Sequence, residues 1–269
     1  MDSEPKKSPQ NESQAFLKFL GTAGARFVVA RQLRSSAGLY LEVKGKRLII
    51  DPGPGTLVKL NKVKPKIDVE KIDGLILTHG HIDHANDVNI LIDAMTQGGL
   101  KRQGWLFAPQ ECLEGDKAVV FNYLKKYLEK IVPLKPEAEY SIGELSWRTS
   151  IRHLHPVETY GLIFKIDTKK LALVADTKYF PELINCYQGS DWLVLNVVRD
   201  TPFEDPSIQH LVLDDARKMI KEIKPKLAIL THFGMAMLRA RPWELADKLE
   251  KELGLKIIAA SDGLTLPLT

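Results

Sequence analysis

Thr78-His79-Gly80-His81-Ile82-Asp83-His84 is the stretch on which the reading of this chain turns. Three of the chain's seven histidines fall within six residues here, beside an aspartate. Imidazole and carboxylate are the ligands that suit zinc, manganese and iron. Four such groups are too close together to serve one tetrahedral ion easily. In a tight turn, however, His79 and His81 can face one ion while Asp83 and His84 face another, and Gly80 omits the side chain that would crowd the pair. The run Gly74-Leu75-Ile76-Leu77 leads into this turn. Its continuous apolar character reads as a strand buried on both faces.

The same layout recurs downstream. Leu171 to Ala175 ends at Asp176, Trp192 to Leu195 ends at Asn196, and Leu227 to Thr231 ends at His232. Short buried strands that each end in a polar group suit an α/β sheet, where chemistry collects at the carboxyl edge. Two ions need more ligands than one turn supplies, and paired ions commonly share a bridging carboxylate. Asp176 and His232 are the best further candidates from the strand layout.

Around this frame, Phe16 to Leu20 reads as a first strand, and Leu39 to Val43 with Arg47 to Ile50 as a hairpin around Lys44-Gly45-Lys46. Asp51-Pro52-Gly53-Pro54-Gly55 is a turn, followed by a short helix over about Thr56 to Asn61. Further helices are expected at Asp87 to Gln97, Asp214 to Ile223 and Pro242 to Leu253. Asp214 and Asp215 suit a first turn, Pro242 an opening position and Gly254 a C′ position. Residues 118–140 fit helix or strand.

The chain has 269 residues, 44% hydrophobic and 27% charged, which excludes collagen-like, disordered and disulfide-scaffold classes. A net charge of +4 does not announce a nucleic-acid binder. Cys112 and Cys186 cannot form a thiolate zinc site, and a reducing compartment is the simpler reading. Residues 1–14 read as a disordered, solvated tail without a secretory apolar region, and residues 15–269 as one domain. No apolar run reaches the roughly 18–20 residues of a membrane helix. A soluble, cytoplasmic protein is expected.

His-x-His-x-Asp-His after an apolar strand resembles the metallo-β-lactamase superfamily, and the likeness runs from Phe19-Leu20-Gly21-Thr22-Ala23-Gly24 to Ser261-Asp262-Gly263. Ile50-Asp51-Pro52-Gly53 is similar to the family's early turn, whose aspartate supports the ligands from behind. His155-Pro156-Val157-Glu158-Thr159-Tyr160-Gly161 resembles the third-histidine motif of the tRNase Z and cyclic-phosphodiesterase branch. That tail favours His155 over His153, which is expected on the strand as a supporting or surface residue. Ala175-Asp176-Thr177 and Leu230-Thr231-His232 match the bridging aspartate and last histidine.

The resemblance implies a four-layer αββα sandwich of α/β class and two divalent ions, with zinc the first choice and manganese or iron as alternatives. It gives His79, His81 and His155 to one ion, Asp83, His84 and His232 to the other, and makes Asp176 the bridge. It also implies a phosphodiesterase acting on a small or cyclic anionic diester through attack by a metal-bridging hydroxide. Asp83 would orient that hydroxide and His210, before the Asp214-Asp215 helix start, would protonate the leaving group. The closest likeness is to phosphoribosyl cyclic phosphate phosphodiesterases. A tRNase Z-like endoribonuclease and a thioester or lactone hydrolase are the alternatives. Asn196 stands where tRNase Z relatives carry a histidine motif, and no long basic arm is evident, so nucleic acid is not the favoured substrate. Arg31, Arg34, Ser35 and Ser36 form either a phosphate-recognising or a solvated loop. Oligomeric state is open, a homodimer being compatible.

Overall fold

A computed structural model describes residues 15–269; the tail expected over residues 1–14 lies outside the described residues. The first sheet is built from β1 (Phe16–Phe19), β2 (Leu39–Val43), β3 (Lys46–Ile50), β4 (Gly74–Ile76), β5 (Trp105–Pro109), β6 (Lys130–Leu134) and the last strand, β15 (Thr265–Pro267). Its order is β15-β1-β2-β3-β4-β5-β6. Pairing is antiparallel up to β3 and parallel from β3 onward. The second sheet contains β7 (Glu139–Ile142), β8 (Leu145–Arg152), β9 (Tyr160–Ile166), β10 (Lys169–Val174), β11 (Trp192–Arg199), β12 (Leu211–Val212), β13 (Leu227–Thr231) and β14 (Ile257–Ala259). It runs β14-β13-β11-β10-β9-β8-β7, with β12 paired to the end of β11.

Alternation along the strands explains the layers. In β11, Trp192 and Val194 face the core between the sheets, whereas Leu193, Leu195 and Val197 face the helices outside. Phe19, Ile50, Phe107, Leu162 and Phe164 join the inter-sheet core. The first sheet's outer face packs Ile49, Leu75 and Leu106 against the helices Thr56–Lys62 and Val88–Met95. The second packs Ala172, Leu195 and Leu230 against Glu182–Tyr187, Leu213–Ile223 and Pro242–Leu253. Both sheets are thus apolar on both faces, as the uninterrupted apolar runs require. The result is the expected helix-sheet-sheet-helix sandwich.

The expected helices are found: Pro242–Leu253 as expected, Thr56–Lys62 and Leu213–Ile223 one residue longer, and the helix expected at Asp87 to Gln97 trimmed to Val88–Met95. Gly254 caps Pro242–Leu253 in the left-handed region, at φ 65°. The ambiguous stretch 118–140 resolves into a short helix, Asn122–Lys125, then β6 and the first residues of β7. Cys112 and Cys186 are both free thiols. Among the described residues, no helix is long and apolar enough to cross a membrane.

Candidate metal centre

The parallel strands deliver the chemistry to one edge. His79 follows β4, Asp176 follows β10 and His232 follows β13, all at carboxyl ends. The two sheets meet there through an isolated bridge between Ala23 and Phe233. His232 itself sits at φ 62°, an uncommon backbone state for a side-chain-bearing residue. The neighbouring backbone approaches closely enough that a Cβ on Gly24 would lie 2.2 Å from the His232 carbonyl oxygen. Gly53 plays the same part in the Asp-Pro-Gly turn, where a Cβ would lie 2.0 Å from the Asp83 carbonyl oxygen.

Two groups of donor atoms result. His79, His81 and His155 converge, as do Asp83, His84 and His232, with ligand atoms within 4.8 Å of one another in each group. His155 Nε2 lies 3.0 Å from His81 Nδ1, and His84 Nε2 lies 2.9 Å from His232 Nε2. Nitrogens around one tetrahedral zinc lie about 3.3 Å apart, given bonds of about 2.0–2.1 Å. Asp176 stands between the groups. Its Oδ2 is 3.9 Å from His79 Nε2 and 3.6 Å from His84 Nε2, and its Oδ1 is 3.6 Å from His232 Nδ1. Asp83 Oδ2 is 3.4 Å from His232 Nε2.

Hydrogen bonds behind these groups fix which nitrogen faces inward. Thr78 Oγ1 donates to Asp51 Oδ2 at 2.7 Å, so it accepts from His79 Nδ1 at 3.0 Å. His79 Nε2 is left fully buried with no partner. His84 Nδ1 donates to Asp51 Oδ2, and His155 Nδ1 donates to the Gln209 carbonyl, at 3.0 and 2.9 Å. Each bond turns an Nε2 lone pair into the centre. A third convergence, of Asp51, His79 and His84, also exists. There the carboxylate of Asp51 is spent on Thr78 N, Thr78 Oγ1 and His84 Nδ1, which makes it a support.

The donor set fits cations. His79 Nε2 and His155 Nε2 turn lone pairs inward, the first buried with no donor and the second against only another imidazole nitrogen, an arrangement that is costly unless positive charge lies between them. Burial drives His79 well below the ordinary histidine range, with the neighbouring His84 adding to the effect. Burial also lowers His155 to about 4. For His84, burial lowers but the carboxylates of Asp83 and Asp176 prevail, holding it well above its usual range. For Asp176, burial raises but His232 and His84 prevail, holding it far below. The edge is thus built to keep carboxylates ionised and to hold positive charge.

His210 overhangs both groups. Its Nδ1 is buried, without a hydrogen-bond partner, 3.4 Å from Asp176 Oδ2. Its ring lies 5.1 Å from that of His155 and 6.2 Å from that of His232, while the side chain keeps 22% exposure.

Three expectations need correction. His153 is neither on β8, which ends at Arg152, nor at the surface. It is 2% exposed and lies behind the centre, with Nδ1 3.1 Å from the Asp176 carbonyl and Nε2 2.7 Å from Tyr187 Oη. Asn196 does not end its strand, because β11 continues to Arg199. Its amide donates to Asp176 Oδ1 at 2.8 Å, an orienting contact. The 31–36 loop divides: Arg31 is exposed, whereas Ser36 is buried and lines a small cavity with Asp51, Asp83 and His232. Thr78, Gln209 and Tyr187 are supports that the sequence did not mark.

Comparison with known proteins agrees with the fold. Residues 46–233 match the family described as a beta-lactamase superfamily domain. An uncharacterized protein of Methanocaldococcus jannaschii is 29% identical over 258 residues, covering 93% of this chain and 94% of its own. A ribonuclease Z of Methanopyrus kandleri is 29% identical over 172 residues, covering 62% of this chain and 56% of its own. Among solved structures, the metallo-β-lactamase-fold protein YhfI of Bacillus subtilis superposes with a TM-score of 0.78 at 18% identity, covering 93% of this chain and 98% of that one. The chain belongs to the beta-lactamase superfamily, in its metal-dependent hydrolase form.

Proposed function

We propose that this protein is a dinuclear metal-dependent phosphodiesterase acting on a small anionic diester. The observation that carries the reading is the pair of ligand groups with the Asp176 carboxylate between them. His79, His81 and His155 would hold one divalent ion, and Asp83, His84 and His232 the other, with Asp176 shared. Zinc, manganese and iron all suit imidazole with carboxylate, and zinc is the first choice. When bound, such ions supply Lewis acidity, lowering the pKa of water toward about 7 and offsetting charge that develops on phosphoryl oxygens.

The chain's own groups do the rest. The Asp83 carboxylate, 18% exposed and 3.4 Å from His232 Nε2, would accept a hydrogen bond from the attacking hydroxide and so orient it toward phosphorus. His210, above both groups, donates a proton from its ring to the oxygen of the leaving alcohol as the ester P–O bond breaks. Phe203, 6.5 Å from the His210 ring, gives the leaving-group side an apolar wall. A phosphodiester is preferred to a carboxyl derivative because His210 adds an acid where a poor alkoxide leaving group needs one, and because a curated relative is a ribonuclease.

The test is elemental analysis coupled to a substrate panel of bis(p-nitrophenyl) phosphate, a cyclic phosphodiester, a precursor tRNA, a thioester and a lactone. The reading expects about two ions per chain and turnover of the small diesters. Fewer than one ion with no gain on adding zinc or manganese would sink it. Precursor tRNA cleaved well and small diesters ignored would replace it with an endoribonuclease.

A further inference from the structure

A second feature lies on the outer face of the first sheet. Phe16, Glu42 and Arg47 form one cross-strand row next to the Lys44-Gly45 turn, whereas Asp51 leaves the opposite end of β3. About four strand residues, roughly 13 Å, therefore separate this row from Asp51, the support behind the candidate ligands. A cavity of about 420 Å³ opens here, walled by Phe16, Tyr40, Pro65 and Ile67. That volume is within the roughly 300–1,000 Å³ typical of small-ligand sites.

Five cations line it: Lys18, Arg47, Lys64, Lys66 and Lys71. Its two carboxylates are already engaged. Glu42 accepts from Tyr40 Oη and lies 3.6 Å from Arg47 Nε, and Asp68 lies 3.5 Å from Lys71 Nζ. Lys18, Lys64 and Lys66 have no carboxylate within ion-pair distance among the described residues. Lys18 is the telling one. It is only 8% exposed, and its ammonium has a single protein acceptor, the Thr265 hydroxyl at 2.6 Å. A lysine with so little exposed surface usually meets a carboxylate, whereas the Lys18 ammonium faces the cavity and meets none among the described residues. Two exposed lysines at the rim, on the Lys64-Pro65-Lys66 loop, add charge of the same sign.

We propose that this cavity binds a phosphate monoester carrying a flat apolar ring, of the nucleoside monophosphate class. The phosphoryl group would satisfy the free donors of Lys18 with Lys64 and Lys66 at the rim. The ring would lie along the Phe16 and Pro65 wall, where Phe16 and Tyr40 make a tilted aromatic pair at 5.7 Å.

The experiment is isothermal titration of the full chain, as purified, with adenosine 5′-monophosphate and separately with inorganic phosphate. Lys18→Met and the double variant Lys64→Ala/Lys66→Ala are compared with the parent chain. The expected result is a nucleotide-binding event that each variant weakens at least tenfold. Metal content and bis(p-nitrophenyl) phosphate turnover should stay as in the parent. Both variants should keep the parent's Tm without ligand to within a few degrees, so that lost binding is not lost folding. Nucleotide binding unchanged in both variants would place all of it at the metal centre and overturn the proposal. Phosphate binding as tightly as the nucleotide would overturn the ring-bearing ligand. Binding of single-stranded RNA without any of the mononucleotide would overturn the small-molecule class. The readout is binding, so the outcome is independent of whether the metal centre hydrolyses diesters.

Discussion

The His79-His81-His155 group and the Asp83-His84-His232 group lie side by side but are held in different ways. The first is all imidazole and is aimed by neutral oxygens, the Thr78 hydroxyl behind His79 and the Gln209 carbonyl behind His155. The second contains a carboxylate of its own and is aimed by another, Asp51 behind His84. Carboxylate behind histidine raises ligand basicity more than a neutral acceptor does. The difference teaches that the two positions are unequal: the second group carries more negative charge and should keep its ion more tightly. The first depends on a distant loop that reaches it only through a backbone carbonyl.

The severest way to break this comparison is to remove what the groups share. Asp176→Asn should lower kcat/KM by about 10⁴-fold or more and reduce the metal content from two ions to one, read by elemental analysis. If the surviving ion sits with the first group instead, shown by a further His232→Ala change that costs no metal, the proposed inequality is reversed. His210→Ala acts on neither group. It should cost about 10²-fold in kcat with both ions retained. A kcat within about threefold of the parent would remove His210 from proton donation.

Asp51→Asn sharpens the comparison. It keeps the shape and the hydrogen bond from Thr78 N, but takes away the charge behind His84 and sets an amide donor where Thr78 Oγ1 and His84 Nδ1 found an acceptor. Affinity at the second group should fall by about 10–100-fold while that at the first moves little. Competition with a chelator, fitted to two classes of site, reads both numbers. An equal loss at both would mean that Asp51 acts through Thr78 on His79 as much as through His84.

The candidate donor cluster was largely legible because the turn after β4 compresses four of its residues into one stretch, and because Asp176 and His232 follow apolar runs. Sheet layering was legible for the same reason, since unbroken apolar strands need cover on both faces. The supports were not. Gln209 acts through its carbonyl, which every residue has, and Thr78 through a hydroxyl that any strand end can carry. His153 and His155 are one residue apart on either side of Leu154. In a strand two such residues share a face, so periodicity does not choose between them; the choice is settled only because β8 ends at Arg152, after a register shift from Thr149, and the chain leaves the strand before both. Asn196 invited reading as a lost histidine. Its bond to Asp176 depends on β10 and β11 lying in parallel register, Val174 beside Leu195.

The smallest expected effect tests how far the centre extends behind Asp176. Tyr187 is fully buried, and its hydroxyl is pressed so close to the chain that a Cβ on Gly161 would lie 1.8 Å from it. His153 Nδ1 donates to the Asp176 carbonyl, so its Nε2 must accept from Tyr187 Oη. Burial lowers His153 to about 4, which keeps it neutral and able to fill both roles. Tyr187→Phe preserves the ring and deletes that one donor, stranding a buried acceptor. The loss should be about 1–3 kcal/mol in urea unfolding, with metal content and kcat unchanged. A second ion lost along with the stability would show that the Tyr187-His153 pair positions the shared carboxylate through its own backbone, and the boundary of the metal centre would then move outward to Tyr187.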